Sequence, residues 1–238
     1  MVPLALDISP YEFACDGTLL GIPHFWNVVT NIPFLLIGIW GFTEVRRLRR
    51  AGRTVSFNWT GIWVSTACIG LGSGAYHLFL TPFGLGLDRL AIAGLIAFLG
   101  AHVAQVIHGI GPSRRLTFWL VLVSETTVVV WMLGGSAWFY GVLQAAAGLG
   151  VVLVVVRADL RTRRGLRRLS VPPGPLYLFA ACYGLAKVCE LFDAEVCSAT
   201  GWIGGHPLKH VFAALGLLLL APLMGRRRTP GRGPSPTP

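Results

Sequence analysis

Apolar residues along this chain fall into seven runs of about bilayer-crossing length, separated by short stretches rich in Arg, Gly, Pro or Ser. The runs cover 24–45, 57–80, 85–108, 116–134, 137–156, 174–196 and 206–224. A helix rises about 1.5 Å per residue, so a hydrocarbon layer of roughly 30 Å takes about 20 residues. Lipid offers unpaired backbone groups no partners, and the helix pairs its own. Each run is therefore predicted to be a transmembrane helix, and the chain an all-α, seven-helix bundle.

The polar connections alternate as well. "RRLRRAGR" after the first run carries five arginines, "GPSRR" after the third two, "RADLRTRRGLRR" after the fifth six, and "RRRTPGR" after the seventh four. The N-terminal segment and the connections near 81–84, 135–136 and 197–205 carry none. By the positive-inside rule the N-terminus lies outside and the C-terminus in the cytoplasm. Asp7, Glu12, Asp16, Asp88, Glu190, Asp193 and Glu195 gather toward the outer ends, Glu44 and Asp159 toward the inner ends. Glu125 alone falls mid-membrane, within "SETT", where an interhelical hydrogen bond and a functional role are both open.

Composition removes the other classes. With 54% hydrophobic and 13% charged residues and a mean hydropathy of +0.65, no sizeable soluble domain fits. A net charge of +10 would point to nucleic acid in a soluble protein. Here 18 of the 20 basic residues are arginine, nearly all between apolar runs, so the charge reports topology and no nucleic-acid partner is expected. The expected organisation is an extracytoplasmic segment 1–23, a membrane domain 24–224 and a disordered basic tail 225–238. Asp7, Glu12 and Asp16, with no basic n-region, argue against a cleavable signal peptide. The arginine bias, with abundant Ala, Gly and Leu, is common in GC-rich bacterial genomes and places the chain first in a bacterial inner membrane.

The candidate chemistry collects at one level. Ser73 and His77 share a helix face near the outer end of the second run, and Asp88 opens the third. In "GHPLKH", His206 and His210 repeat the i, i+4 spacing at the outer start of the seventh. Two histidines one turn apart plus a third from another helix fill three of zinc's four tetrahedral positions, the layout of a catalytic site. Zinc lowers the pKa of water from about 15.7 to about 7. Asp88 is then the candidate general base or an orienting acceptor, and Ser73 the oxyanion donor. His102 and His108 are assigned to packing, His24 beside Trp26 to the interface, Lys187 and Glu190 to mutual neutralisation, and Lys209 to outward snorkelling. The five cysteines show no CxxC spacing, and Cys15 with Cys197, both on the outer side, are candidates for a disulfide.

"PHFWNVVTNIPFLLIG", "GSGAYHLFL", "LDRL" and "GHPLKHVFAAL" resemble the alkaline ceramidase family of the CREST superfamily, particularly its short, alkaline phytoceramidase-like bacterial members. The resemblance implies a seven-helix membrane hydrolase with His77, His206 and His210 as zinc ligands, Asp88 acting on the zinc-bound water and Ser73 polarising the carbonyl. It further implies hydrolysis of a sphingolipid amide to a fatty acid and a long-chain base, with a ceramide-like lipid entering a cavity in the bundle. A eukaryotic member would be expected in the endoplasmic reticulum or Golgi. Eukaryotic members carry an acid just before the Phe-Trp-Asn segment, within a calcium site. This chain has His24 there, so although Glu12 and Asp16 remain, calcium is not carried over. Two alternatives stand beside this reading: a lipid esterase or phospholipase using the same zinc site, and a receptor or transporter with structural zinc in which Glu125, Lys187 and Glu190 line a pathway.

Overall fold

The computed structural model describes residues 13–108, 113–165 and 172–224, without the side chains of 106–108, Val154 and Ala158. Residues 225–238, the expected tail, lie outside the described residues, as do Asp7 and Glu12. The elements run α1 (Phe25–Val29), α2 (Ile32–Arg50), α3 (Phe57–Phe79), α4 (Pro82–His108), α5 (Arg114–Met132), α6 (Trp138–Arg163), α7 (Gly174–Leu191), α8 (Asp193–Thr200) and α9 (Gly205–Leu219), with a 3-10 turn at Ala221–Leu223. The described residues contain no strand, and the fold is all-helical.

Five helices are long and apolar enough to cross a membrane: Phe25–Arg50, Pro82–Gln105, Arg114–Met132, Trp138–Arg163 and Gly205–Leu223. The sixth expected run, 174–196, is not one helix. It breaks at Phe192 into α7 and α8, bent by 82°, and counts as a further span if the pair is taken together. α3, 23 residues long, is not among them and carries several polar residues along its length. Packing against α2 and α4 explains this, because 11 of its residues are buried, Asn58, Ser65, Thr66, Ser73 and His77 among them. The opposite face of α3 exposes Val64, Cys68 and Leu71, an apolar stripe at helical spacing. α6 is less enclosed, with Trp138, Phe139, Val142, Leu149 and Leu153 exposed, as an apolar surface covered by lipid would be.

Boundaries shift where local chemistry favours it. α4 starts at Pro82, three residues before the expected 85, since proline suits a first helical turn. α6 continues past the expected 156 to Arg163, and there Asp159 joins Arg163 (3.0 Å) to Tyr177 of α7 (3.2 Å). Ser56 and Ser113 cap α3 and α5 by accepting from the backbone of Asn58 (3.3 Å) and Leu116 (3.2 Å).

Two contacts fix how the antiparallel helices meet at the arginine-rich end. Asn58 donates to Gln105 Oε1 at 3.1 Å and accepts from Thr117 Oγ1 at 3.0 Å, joining α3, α4 and α5 within the core. Trp59 and Trp63 stack at 5.9 Å, and the Trp63 indole N–H reaches Met224 Sδ at 2.8 Å. His102 packs 4.7 Å from Trp59 in the same region, whereas the side chain of His108 lies outside the described residues. Glu125 sets its carboxylate against Gly94 of α4, beside Ser65. The hydroxyl of Ser124, next to it, donates to Ala93 O at 2.8 Å.

Because Asn58 serves three helices, Asn58→Ala is expected to orphan Gln105 and cost about 1–3 kcal/mol. Scanning fluorimetry in detergent should show a lower Tm, with the distant histidine cluster still able to take up metal.

Candidate metal site and cavity

At the opposite end, His77 of α3 and His206 and His210 of α9 meet. Each offers a ligand nitrogen, and the three atoms lie within 4.8 Å of one another. The ring centroids form a near-equilateral triangle with sides of 5.1, 5.2 and 5.1 Å. All three residues are buried. A tetrahedral ion with roughly 2.0–2.1 Å bonds holds its nitrogens about 3.3 Å apart, so small ring rotations would close the set.

The neighbours of these rings explain why they stand at one height. α9 begins beneath α8, where Gly205 lies so close to the Cys189 carbonyl that a β-carbon would overlap it. Asp193 of α8 then caps α9 from outside, its Oδ1 accepting from the His206 backbone N–H at 2.7 Å. Its Oδ2 accepts from the Ala14 backbone N–H at 2.9 Å. Cys15 and Cys197 are disulfide-bonded, with Cα atoms 5.7 Å apart, which fastens the same N-terminal segment to α8. Phe13 is thereby laid over the cluster, 5.0 Å from the His77 ring and 4.3 Å from that of His206.

His210 shows the support expected of a metal ligand. Its Nδ1 lies 3.1 Å from Thr30 Oγ1, whose own proton goes to the Trp26 carbonyl at 2.6 Å. With Nδ1 protonated, His210 would donate to Thr30 and keep its Nε2 lone pair for a metal. Asn31 lies beside them, its Nδ2 3.3 Å from the same nitrogen and donating to Asn27 O at 2.7 Å. His77 Nδ1 is buried with no hydrogen-bond partner among the described residues, and so is Asp88 Oδ1. Buried orphan polar atoms are rare and cost about 1–3 kcal/mol each. Two of them facing one cavity fit a site built for a ligand, and the cluster could bind a metal ion.

Ser73, His77, Asp88, His206 and His210 all line one cavity of about 360 Å³. Ser73 faces the Asp88 carboxylate across the α3–α4 contact. That contact is close because Gly72 has no side chain: a β-carbon there would lie 3.0 Å from the Asp88 backbone nitrogen. From this end the cavity runs between α4, α6, α7 and α9 along Ile92, Leu95, Leu99, Val151 and Leu217.

One position differs from expectation. Lys209 does not snorkel outward: its Nζ donates to Glu190 Oε1 at 2.6 Å, lies 3.4 Å from His206 Nδ1 and lines the cavity. Glu190 does pair with Lys187, at 2.7 Å, but also serves Lys209. His24 Nδ1 lies 2.5 Å from one Asp16 oxygen, and Asn27 donates to the other at 3.0 Å. Arg89, Glu190, Asp193 and Thr30 escaped the sequence reading as parts of this site. Only Asp193 and Glu190 carried a signal, their position near the outer ends.

Purified protein is expected to retain about one equivalent of divalent metal by inductively coupled plasma mass spectrometry, and His206→Ala with His210→Ala to retain none. Thr30→Val should weaken metal affinity by about ten- to a hundred-fold, because the orienting acceptor of His210 is lost. Comparison of the chain with protein-family models, curated proteins and solved structures gives no match.

Proposed function

We propose that this chain is a seven-helix membrane hydrolase, dependent on zinc, that cleaves the amide bond of an acylated lipid. The observation that carries the reading is a cluster of three buried imidazoles that shares one largely apolar cavity with Asp88 and Ser73. Ceramidase-like cleavage of an N-acyl sphingoid lipid, releasing fatty acid and long-chain base, is the form implied by the family resemblance. With α3 counted, the bundle has seven spans, N-terminus outside and the arginine clusters inside. A bacterial inner membrane fits the composition.

His77, His206 and His210 would hold the zinc and leave one tetrahedral position free. Bound there, the ion supplies Lewis acidity and lowers the pKa of water. Asp88 would take a proton from the attacking water, a role supported by its place in the same cavity and by an Oδ1 with no hydrogen-bond partner among the described residues. The water oxygen bonds to the carbonyl carbon, the carbon–nitrogen bond breaks, and Asp88 returns the proton to the leaving amine. Ser73 donates a hydrogen bond to the carbonyl oxygen as that atom gains negative charge. The acyl chain occupies the apolar part of the cavity, away from water, and Phe13 limits access of bulk solvent from the outer side.

The test is release of fatty acid from a panel of N-acyl lipids and lipid esters, followed by mass spectrometry. Asp88→Asn is expected to lose at least about a hundred-fold in rate with metal content unchanged, and Ser73→Ala roughly ten- to a hundred-fold. Asp88→Asn working as fast as the parent would sink the reading, and faster cleavage of esters than of amides would change its substrate class.

A further inference from the structure

The same cavity also carries three cations that the hydrolytic chemistry leaves unused: Arg89, Lys187 and Lys209. Two carboxylates face them. Glu190 is shared, accepting from Lys187 at 2.7 Å and from Lys209 at 2.6 Å. Asp88 lies 3.9 Å from an Arg89 terminal nitrogen, an ion pair too long to be a hydrogen bond. With neutral imidazoles, the wall holds one more positive charge than negative, and any metal ion adds to the excess.

Arg89 and Lys187 keep open surface, while Lys209 is largely buried, its side chain 17% exposed. Arg89 has five N–H donors, lies 5.7 Å over the Tyr140 ring and keeps 28% of its side-chain surface free. Lys187 is 48% free and stands 5.9 Å over the Tyr183 ring. Lys209 contributes the third charge beside His206. Arg89 and Lys209 lie within the bundle with donors to spare, and intramembrane charges of this kind commonly meet a ligand. Arginine and lysine together are the side chains that hold carboxylates and phosphates.

We propose that the lipid held in this cavity carries an oxoanion, a carboxylate or a phosphate, on its polar half. Arg89, Lys209 and Lys187 bind that group, and the acyl chain lies along Ile92, Leu95, Leu99 and Val151. The inference rests on the hydrolase reading only in naming its substrate class: an acyl amide whose amine half bears the oxoanion. In the sphingoid form of the hydrolase reading, the oxoanion would therefore sit on the long-chain base, since a head without one would leave these cations no anionic partner beyond Asp88 and Glu190.

The test is equilibrium binding to the full-length, chelator-treated protein in neutral detergent, so that neither metal nor turnover enters the readout. The probes are radiolabelled oleate, oleoyl lysophosphatidate, oleyl alcohol and sphingosine. At least one of the two anions is expected to bind about ten-fold or more tightly than the alcohol and sphingosine, and which one does so identifies the group. Arg89→Gln and Lys209→Gln should each lower anion affinity about ten-fold and leave the alcohol unchanged. Glu190→Gln, which removes the competing carboxylate, should raise anion affinity.

Sphingosine or the alcohol binding as tightly as both anions would overturn the proposal, as would charge variants that shift every probe equally. Should Lys209→Gln fail to fold, Arg89→Gln and Glu190→Gln decide the matter by their opposite signs. Anion preference in a protein that cleaves no lipid would leave this inference standing and remove the hydrolase reading. Cleavage without charge preference would do the reverse.

Discussion

The carboxylate of Asp193 sets the height at which α9 enters the bundle. One oxygen takes the backbone N–H of His206 and the other takes that of Ala14, so one residue of α8 positions both the first turn of α9 and the segment that covers it. The N–H groups of a first helical turn have no intrahelical acceptor, and inside a membrane domain water cannot be relied on to replace one. Once that turn is fixed, the i, i+4 spacing carries His210 to the same level one turn further on. Phe13 and the Cys15–Cys197 disulfide follow from the same anchor.

Polar side chains are costly in such a bundle, and this one concentrates them in two places. At the arginine-rich end, Asn58, Gln105 and Thr117 satisfy one another and hold α3, α4 and α5 together. At the other end the polar groups are not all satisfied: His77 Nδ1 and Asp88 Oδ1 lack partners among the described residues. The first arrangement is a closed network, which rigidifies a core. The second is a set of groups left available to a ligand.

The cavity depends on an uneven distribution of packing. α3 packs between α2 and α4, and close backbone approach at Gly72 brings Ser73 to Asp88. α6 presents much of its apolar surface outward. The space left between α4, α6, α7 and α9 is the cavity of about 360 Å³ that the three histidines also line. Ionisable groups follow the same division: Asp88, Arg89, Lys187, Glu190 and Lys209 line the cavity together with the histidines.

The all-helical fold and most helix positions were legible in the chain, because an apolar run of bilayer length between arginine clusters leaves the backbone few alternatives. The shared level of His77, Asp88, His206 and His210 was legible too, since alternating direction and i, i+4 spacing are one-dimensional properties. What the sequence could not determine was the break at Phe192, the inward turn of Lys209, and the pairing of His24 with Asp16. Each depends on a partner distant in the chain or on the space a neighbouring helix leaves. The hydropathy of a residue records its cost of leaving water but not the carboxylate that waits for it. Thus Lys209 reads as a snorkelling cation until Glu190 of α7 is seen beside it, and only the packing of α7 on α9 placed that partner within reach.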